Sequence, residues 1–592
     1  MSKSVTTETR KHRTAVDDDA DFIPTNRHRI LVFWGTLAVL SLPIVVAALQ
    51  SADSLSRAIG DSAIIQLYAE DIPGRLPLVG VYSRFDFHHP GPLLYYLVAV
   101  PVHIFGAYGL SLTAAAVSIA SFGGILLLLY RRGGATLFAV GVLLDIVLTR
   151  SMALDVLSAW NPYILILPIG LAIVLTWSVW CRDWNALPWL AFVGTFVLQA
   201  HIGTAPCIGF MLGSAALWAT IERVRRRCPT RPILISASVL GVLWLPPVID
   251  QFTSHPGNIS QIVTAGTGGS GEPTLGLVNG LRLLGQLLGR VNPLTVASTE
   301  PIELITAART ASLTLLLVPA IVLSGSAVLA WRSRLRDELR LTGLLLGLTM
   351  TSTLFLTSLS GLPYLYLVRW IVVINCFIWV NLIWIIIRVI DLRITLRRTD
   401  GERTFRIPAA VVLAGSVSVL LAIAIIPLGP STVHNENLIG SAAIRSLEGR
   451  IHDAVGDCDL IEVRSTSDQL IVGPAIASGV IAELHQHNVN AVAEDLFEYS
   501  HGSEHSLHGR SPECTLTITV SKAADLVPLP ASDGDRVAAF DTLNRRERLQ
   551  YQRISRKKLR GPLDDAGRVR FRQLRSEALS VRVTIVRHSK VA

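Results

Sequence analysis

The residues best equipped for chemistry crowd into YSRFDFHHPGPLLYYL, Tyr82 to Leu97. Arg84, Asp86, His88 and His89 stand close together there, followed by a Pro-Gly-Pro turn and then at once by apolar and aromatic residues. An arginine and two histidines are donors that can grip an anion, and histidine also moves protons near neutral pH. Asp86 reads either as an acid in its own right or as a partner of Arg84, and the pairing is preferred. Further candidates are scattered: Asp61, Asn161 in Trp160-Asn161-Pro162, His201 after Gln199-Ala200, and Arg369 in PYLYLVRWIVV. Considered alone, Asp61 is the N-cap of a short helix with Ile64, Ile65, Leu67 and Tyr68 behind it. Arg369 falls about two turns inside an apolar run, where an unpaired cation is costly. Snorkelling is the bland reading and function the preferred one. Asp145 is assigned no role, and Tyr68 and His103 are read as packing or interface residues.

The elements that carry these groups are apolar. Of 592 residues, 51% are hydrophobic and 16% charged, and mean hydropathy is +0.48. The apolar runs have the length that crosses a bilayer, which defines a polytopic α-helical membrane protein. The net charge of +9 sits mostly in short loops, where it orients spans and argues against nucleic acid as a partner. Gln50-Ser51-Ala52-Asp53 gives no convincing cleavage site, so the first run is read as a retained span. With the basic clusters in the cytoplasm, spans are expected at 30–50, 108–130, 134–150, 161–180, 186–203, 205–221, 232–249, 310–331, 341–360, 364–387 and 407–427. That makes about eleven helices, with residues 1–29 as a cytoplasmic tail. The transmembrane domain is 30–427, including external loops 51–107 and 250–309, and 428–592 is an extracytoplasmic domain. Leu93 to Phe105 is too short to span and is read as a helix against the outer leaflet.

In the C-terminal domain, CDLIEVRS and CTLTITV read as strands and PAIASGVIAELHQHNV as a helix, an α/β arrangement. Cys458 and Cys514 are the two cysteines on the oxidising side and are expected to form a disulfide. Arg545 to Arg575 reads as a solvated helical face. No Cys–His spacing suggests a zinc site, so no metal ligand is assigned. TAGTGGSGEPT lacks the Gly-Lys-Ser/Thr ending of a phosphate loop and reads as a flexible loop.

The order of these features resembles the opening of GT-C glycosyltransferases, especially protein O-mannosyltransferases and aminoarabinose transferases. A span is followed by an external acid, an amphipathic helix, a basic residue with prolines, and an aromatic interfacial helix ending in Phe-Gly. The resemblance is specific over about residues 30–130 and architectural beyond about 250. It implies an enzyme of a bacterial plasma membrane that takes a sugar from a polyprenyl phosphate. The sugar would pass to a glycan, lipid or protein acceptor on the outer face. Asp61 matches the family's first-loop carboxylate, the catalytic base. His89-Pro90-Gly91-Pro92 matches the basic residue and prolines beside the donor phosphate. Asn161 matches a second outer-face site for the acceptor, and His201 a basic residue at the outer end of a span. Arg84, His88, His89, His201 and Arg369 are then the expected phosphate ligands. The sequence departs from the family pattern at Ser62, His89 and Asn161, where relatives often carry an acid, Lys and Asp. No obligatory cofactor is expected, and a divalent cation stays open.

Two alternatives remain. A transporter or lipid flippase would place polar residues at midplane and show an internal repeat, whereas the polar groups here gather on one face. A non-catalytic envelope assembly protein on the same scaffold fits the missing second acid at Ser62.

Overall fold

The computed structural model describes residues 27–268, 272–289, 308–397, 428, 432–456, 458–467, 472–521 and 535–588. Among them, eight helices are long and apolar enough to cross a membrane: Ile30–Gln50, Tyr108–Leu157, Asn161–Trp180, Ile202–Val224, Thr230–Thr253, Leu313–Arg332, Arg336–Ser358 and Leu365–Arg393. The second contains a break. Gly133 and Gly134 leave helical geometry, Gly134 at φ 62°, a conformation that glycine adopts without a Cβ penalty. Tyr130 and Phe138 then meet edge to face at 6.1 Å, so the chain folds back on itself. The break falls between the ranges 108–130 and 134–150 that were expected as separate spans. The run expected at 186–203 forms a shorter helix, Ala186–Ala200, ended by a tight turn at Ile202–Thr204. The expected span 407–427 lies outside the described residues. Leu93–Phe105 is a 13-residue helix, as its length dictated.

Two corrections concern the loops. Residues 250–309 hold structure: Asn258–Gly268 and Gly276–Leu288 are helices, so Thr264 to Gly268 is helical where a flexible loop was expected. The loop's end is pinned, because Thr274 bridges Ser360.

The C-terminal domain is built on a five-stranded mixed sheet in the order β2-β1-β3-β5-β4. Its strands are β1 Ile461–Ser467, β2 Ala491–Ala493, β3 Cys514–Ser521, β4 Asp535–Asp541 and β5 Ser580–Arg587. β1 pairs parallel with β2 and β3, and β5 pairs antiparallel with β3 and β4. Val472–Gln486 is the crossover helix between β1 and β2. The basic stretch forms two helices, Arg545–Arg560 and Asp565–Glu577, which close over Tyr551, Phe571 and Leu574 and leave their charges outside. Cys458 and Cys514 form a disulfide with sequence separation 56. Loop closure on that scale stabilises by about 4 kcal/mol. Cys458→Ser with Cys514→Ser is therefore expected to lower the domain's unfolding free energy by about 2–4 kcal/mol, read by limited proteolysis of the sheet in graded denaturant.

Residues 51–107, expected as the first external loop, connect the helical part and the C-terminal sheet through one helix, Gly60–Glu70. Its Ala63 and Leu67, one turn apart, enter the core of the C-terminal domain. Ile65 and Ala69 enter the core of the membrane domain. A helix buried on two faces is fixed in rotation as well as position, and Asp61 lies in its first turn. Close approach maintains the fit: a Cβ at Gly479 would sit 2.5 Å from the Ala58 carbonyl. Ion pairs reinforce it, with Arg57 shared by Glu448 at 2.6 Å and Glu483 at 2.7 Å, and His505 2.9 Å from Asp71.

Glu70, at the end of that helix, accepts from Gln66 at 2.8 Å and has its other oxygen buried without a partner. Burial pushes its carboxyl up to about 7. The folded state then holds a proton that the unfolded chain releases near the ordinary carboxylate value, so stability falls as pH rises between the two and is flat above. Glu70→Gln should remove that slope and raise the melting temperature at pH 8 by roughly a few degrees, measured across pH by thermal unfolding.

Candidate active site

The conspicuous stretch Tyr82 to Leu97 begins inside a hairpin. Gly80 N–H donates to the His89 carbonyl at 2.9 Å, His89 N–H to Val81 at 2.8 Å, and Ser83 N–H to Phe87 at 2.8 Å. Asp86 turns the chain at φ 57°, a region that Asp enters more readily than most residues. The turn carries Arg84 outward. Its Nη2 donates to the carbonyls of Ser360 at 3.0 Å and Leu362 at 3.2 Å, and the guanidinium lies over Phe85 and Tyr364. The expected pairing with Asp86 does not form: carbonyls and aromatic faces hold the cation instead. Arg84, Asp86, Gln261 and Glu272 line a cavity of about 860 Å³.

Asp61 is not an N-cap. Ile59 occupies that position, and the Asp61 carboxyl turns away from the helix backbone. Tyr82 OH donates to Oδ1 at 2.6 Å, and the Trp160 indole N–H donates to Oδ2 at 2.7 Å. Burial pushes the Asp61 carboxyl above the usual carboxylate range, while these two hydrogen bonds act against it. Aromatic rings complete the setting. Trp160 packs on Tyr366 at 4.8 Å and stacks on Tyr163, and Tyr82 meets Tyr499 of the C-terminal domain at 5.6 Å. The result is a carboxylate with two fixed donors in apolar surroundings, able to take a proton from a substrate hydroxyl.

The hairpin that delivers Tyr82 to Asp61 also delivers His89 to His201, their rings 4.7 Å apart. Ile202 N–H donates to His89 Nδ1 at 3.3 Å, and Gly203 N–H to His201 Nδ1 at 3.1 Å. Each Nδ1 is thus an acceptor, which leaves the ring proton on Nε2. Burial, with His201 and His88 beside it, holds His89 well below the usual histidine range. Of the two expected forms, cationic or neutral hydrogen-bonding, this geometry suits the neutral one, with Nε2–H as the donor group. His88 points elsewhere. Its Nδ1 faces the Gly80 carbonyl at 3.1 Å, and its backbone exchanges hydrogen bonds with the Asn258 side chain at 2.8 and 2.9 Å.

Two expected ligands have other partners. Arg369 donates from Nη1 to Asp155 Oδ2 at 2.6 Å and from Nη2 to the Ser151 carbonyl at 2.6 Å, with Tyr163 beneath it. The cation is internally paired, which removes the cost that suggested a free phosphate ligand. Asn161 is 3% exposed and donates to the Ala200 carbonyl at 3.0 Å, tying two helices together. Its neighbour Trp160 makes the contact with Asp61. Sequence reasoning missed Trp160 and Tyr82 because an aromatic donor carries no charge to mark it.

An apolar groove of about 960 Å³ begins at Leu93 and Tyr96, directly after the Pro-Gly-Pro turn. It continues past Leu112 and Leu128 to Arg131 and Asn185. From Leu112 to Arg131 a helix rises about 28 Å, close to the ~30 Å of bilayer hydrocarbon. Leu93 N–H donates to Gln199 at 3.3 Å, which fixes that end of the groove to the helix Ala186–Ala200, whose last residue precedes His201.

No family model matches the chain, and no curated protein does. Among solved structures it is similar to ArnT from Cupriavidus metallidurans bound to undecaprenyl phosphate, at 11% identity and TM-score 0.47, over 85% of this chain and 96% of that one. The apo state of the same protein gives 13% identity and TM-score 0.41, over 84% and 95%.

Proposed function

We propose that the chain is a GT-C type glycosyltransferase that moves a sugar from a polyprenyl-phosphate donor to an envelope glycan, lipid or protein acceptor. The reaction would take place on the outer face of a bacterial plasma membrane, with the N-terminus in the cytoplasm. The observation that carries this reading is Asp61, a desolvated carboxylate held by Tyr82 and Trp160 in the first loop. Asp61 takes the proton of the acceptor hydroxyl. The acceptor oxygen bonds to the anomeric carbon, and the carbon–oxygen bond to phosphate breaks with its electron pair leaving on the phosphate. His89 and His201 offer Nε2–H groups to that developing charge, and Arg84 lies at the rim of the outer cavity for a further anionic contact. The apolar groove suits a polyprenyl tail in length and lining, and the disulfide favours an oxidising side for the C-terminal domain.

The test is reconstitution of the full chain in proteoliposomes with a labelled polyprenyl-phosphate sugar and a mixed envelope acceptor fraction. Label should move from lipid to acceptor. Movement of intact donor across the bilayer without transfer would make the chain a flippase. Neither transfer nor movement, with donor retained on the protein, would make it a binding protein of the assembly machinery.

A further inference from the structure

Among the buried side-chain atoms of the C-terminal domain without a hydrogen-bond partner, two lie close together: His452 Nε2 and Glu483 Oε1. Leaving such atoms unsatisfied costs about 1–3 kcal/mol each. His487 stands beside them, and ligating atoms of His452, Glu483 and His487 lie within 4.8 Å of one another. The three come from two packed elements. His452 is on Thr432–Val455, and Glu483 is on Val472–Gln486, one turn before His487.

Their hydrogen bonds leave lone pairs available on all three. His487 Nδ1 is 2.9 Å from the Glu483 carbonyl, to which it donates, and 3.4 Å from Oε1. That hydrogen bond leaves a lone pair on Nε2, the arrangement that commonly orients a metal-binding histidine. The His452 and His487 rings are 4.6 Å apart. Glu483 Oε2 is 2.7 Å from Arg57 Nε, so one oxygen is oriented by the arginine and the other is left for the histidines. Arg57 also reaches Glu448, so the local charge is one cation against two carboxylates, net negative without an ion. Glu483 is 4% exposed and His487 52%, giving the cluster a buried floor and an open mouth.

We propose that His452, Glu483 and His487 bind a divalent transition-metal ion of the zinc class, with a further position open to water or an outside ligand. Two imidazoles and one carboxylate suit zinc, whereas magnesium and calcium favour oxygen-only sets. The site is separate from Asp61 and independent of the transfer reaction. It crosslinks two helices beside Arg57, which lies two residues before the Ile59 cap of the Asp61 helix. No spacing motif announces it, because two helices far apart in sequence supply the ligands.

The test uses full-length protein purified with a tag free of histidine, exposed to equimolar Zn2+, dialysed against metal-free buffer and assayed by plasma mass spectrometry. About one zinc per chain is expected in the parent, with affinity lower by at least about tenfold in His452→Ala and His487→Ala. His487→Ala alters an exposed side chain, so a native elution profile and circular dichroism spectrum should accompany the loss. Co2+ in place of Zn2+ should give visible absorption bands in the parent and none in that variant. Zinc-free parent protein would overturn the proposal, leaving water or a shared proton between His452 and Glu483. So would zinc that survives His487→Ala but disappears in His485→Ala, which would put the ion against Asp71.

Discussion

Asp61→Asn is expected to slow sugar transfer from a polyprenyl-phosphate donor by about 10²–10⁴-fold, the range that a positioned general base contributes. The substitution keeps the shape and an acceptor oxygen for one of the two donors, Tyr82 at 2.6 Å and Trp160 at 2.7 Å, and removes the ability to accept a proton. Stability should move the other way. Burial raises the Asp61 carboxyl, so the folded state prefers its protonated form. The native state is then favoured most below the unfolded carboxylate value and loses that advantage as pH rises through the raised one. At neutral pH, where the ionised form is buried, Asp61→Asn should be at least as stable as the parent. The rate has the matching sign: the parent gains activity as pH rises through the raised value, and the variant loses that acidic limb. Initial rates in nanodiscs from pH 4 to 8, with thermal unfolding in parallel, check both. A variant as active as the parent, or one inactive only because it unfolds, would remove Asp61 from the mechanism.

Tyr82→Phe and Trp160→Phe extend the test from the donor side. Each deletes one donor to the carboxylate while keeping the ring that packs around it. Removing a donor to an anion raises its proton affinity, so the acidic limb should move to higher pH in both.

The sequence announced these residues unevenly. Membrane-crossing runs are readable because about 20 consecutive apolar residues have few other uses, and the short run Leu93–Phe105 is a 13-residue helix. The strands at Ile461–Ser467 and Cys514–Ser521 were readable from β-branched alternation, and their pairing follows from both being buried. Local rules failed where distant parts of the chain decide the outcome. Asp61 follows Gly60 at a helix start and satisfies every local criterion for a cap. What overrides the cap is a phenol 21 residues away and an indole 99 residues away, neither visible from the helix itself. Asp86 similarly lost Arg84 to carbonyls more than 270 residues along the chain. For His89 and His201 the residue type left cationic and neutral donors both open, and backbone N–H groups at the Ile202–Thr204 turn fix their tautomers. A charged or polar residue can be found by its type, but its protonation and its partner belong to the fold.

Arg369→Met is expected to destabilise the chain by about 3–5 kcal/mol, the usual cost when a buried ion pair loses one member. Asp155 is 2% exposed and Arg369 15%, and their 2.6 Å contact sits beneath Tyr163, which stacks on the Trp160 that holds Asp61. The single variant should therefore lose both stability and activity, and activity alone cannot say why. Adding Asp155→Asn removes the facing carboxylate charge, so the double variant should recover most of the lost stability. If Arg369 only supports the aromatic stack, transfer should recover with it and KM for the donor should stay near the parent value. If Arg369 grips the donor phosphate, the double variant will fold yet keep a KM raised by about tenfold or more, since a charge-assisted hydrogen bond is worth about 1.5–3 kcal/mol. Unfolding in graded denaturant and donor titration on the two variants separate these outcomes. The geometry favours the first, because Nη1 and Nη2 of Arg369 each already donate inside the protein and its charge is matched by Asp155.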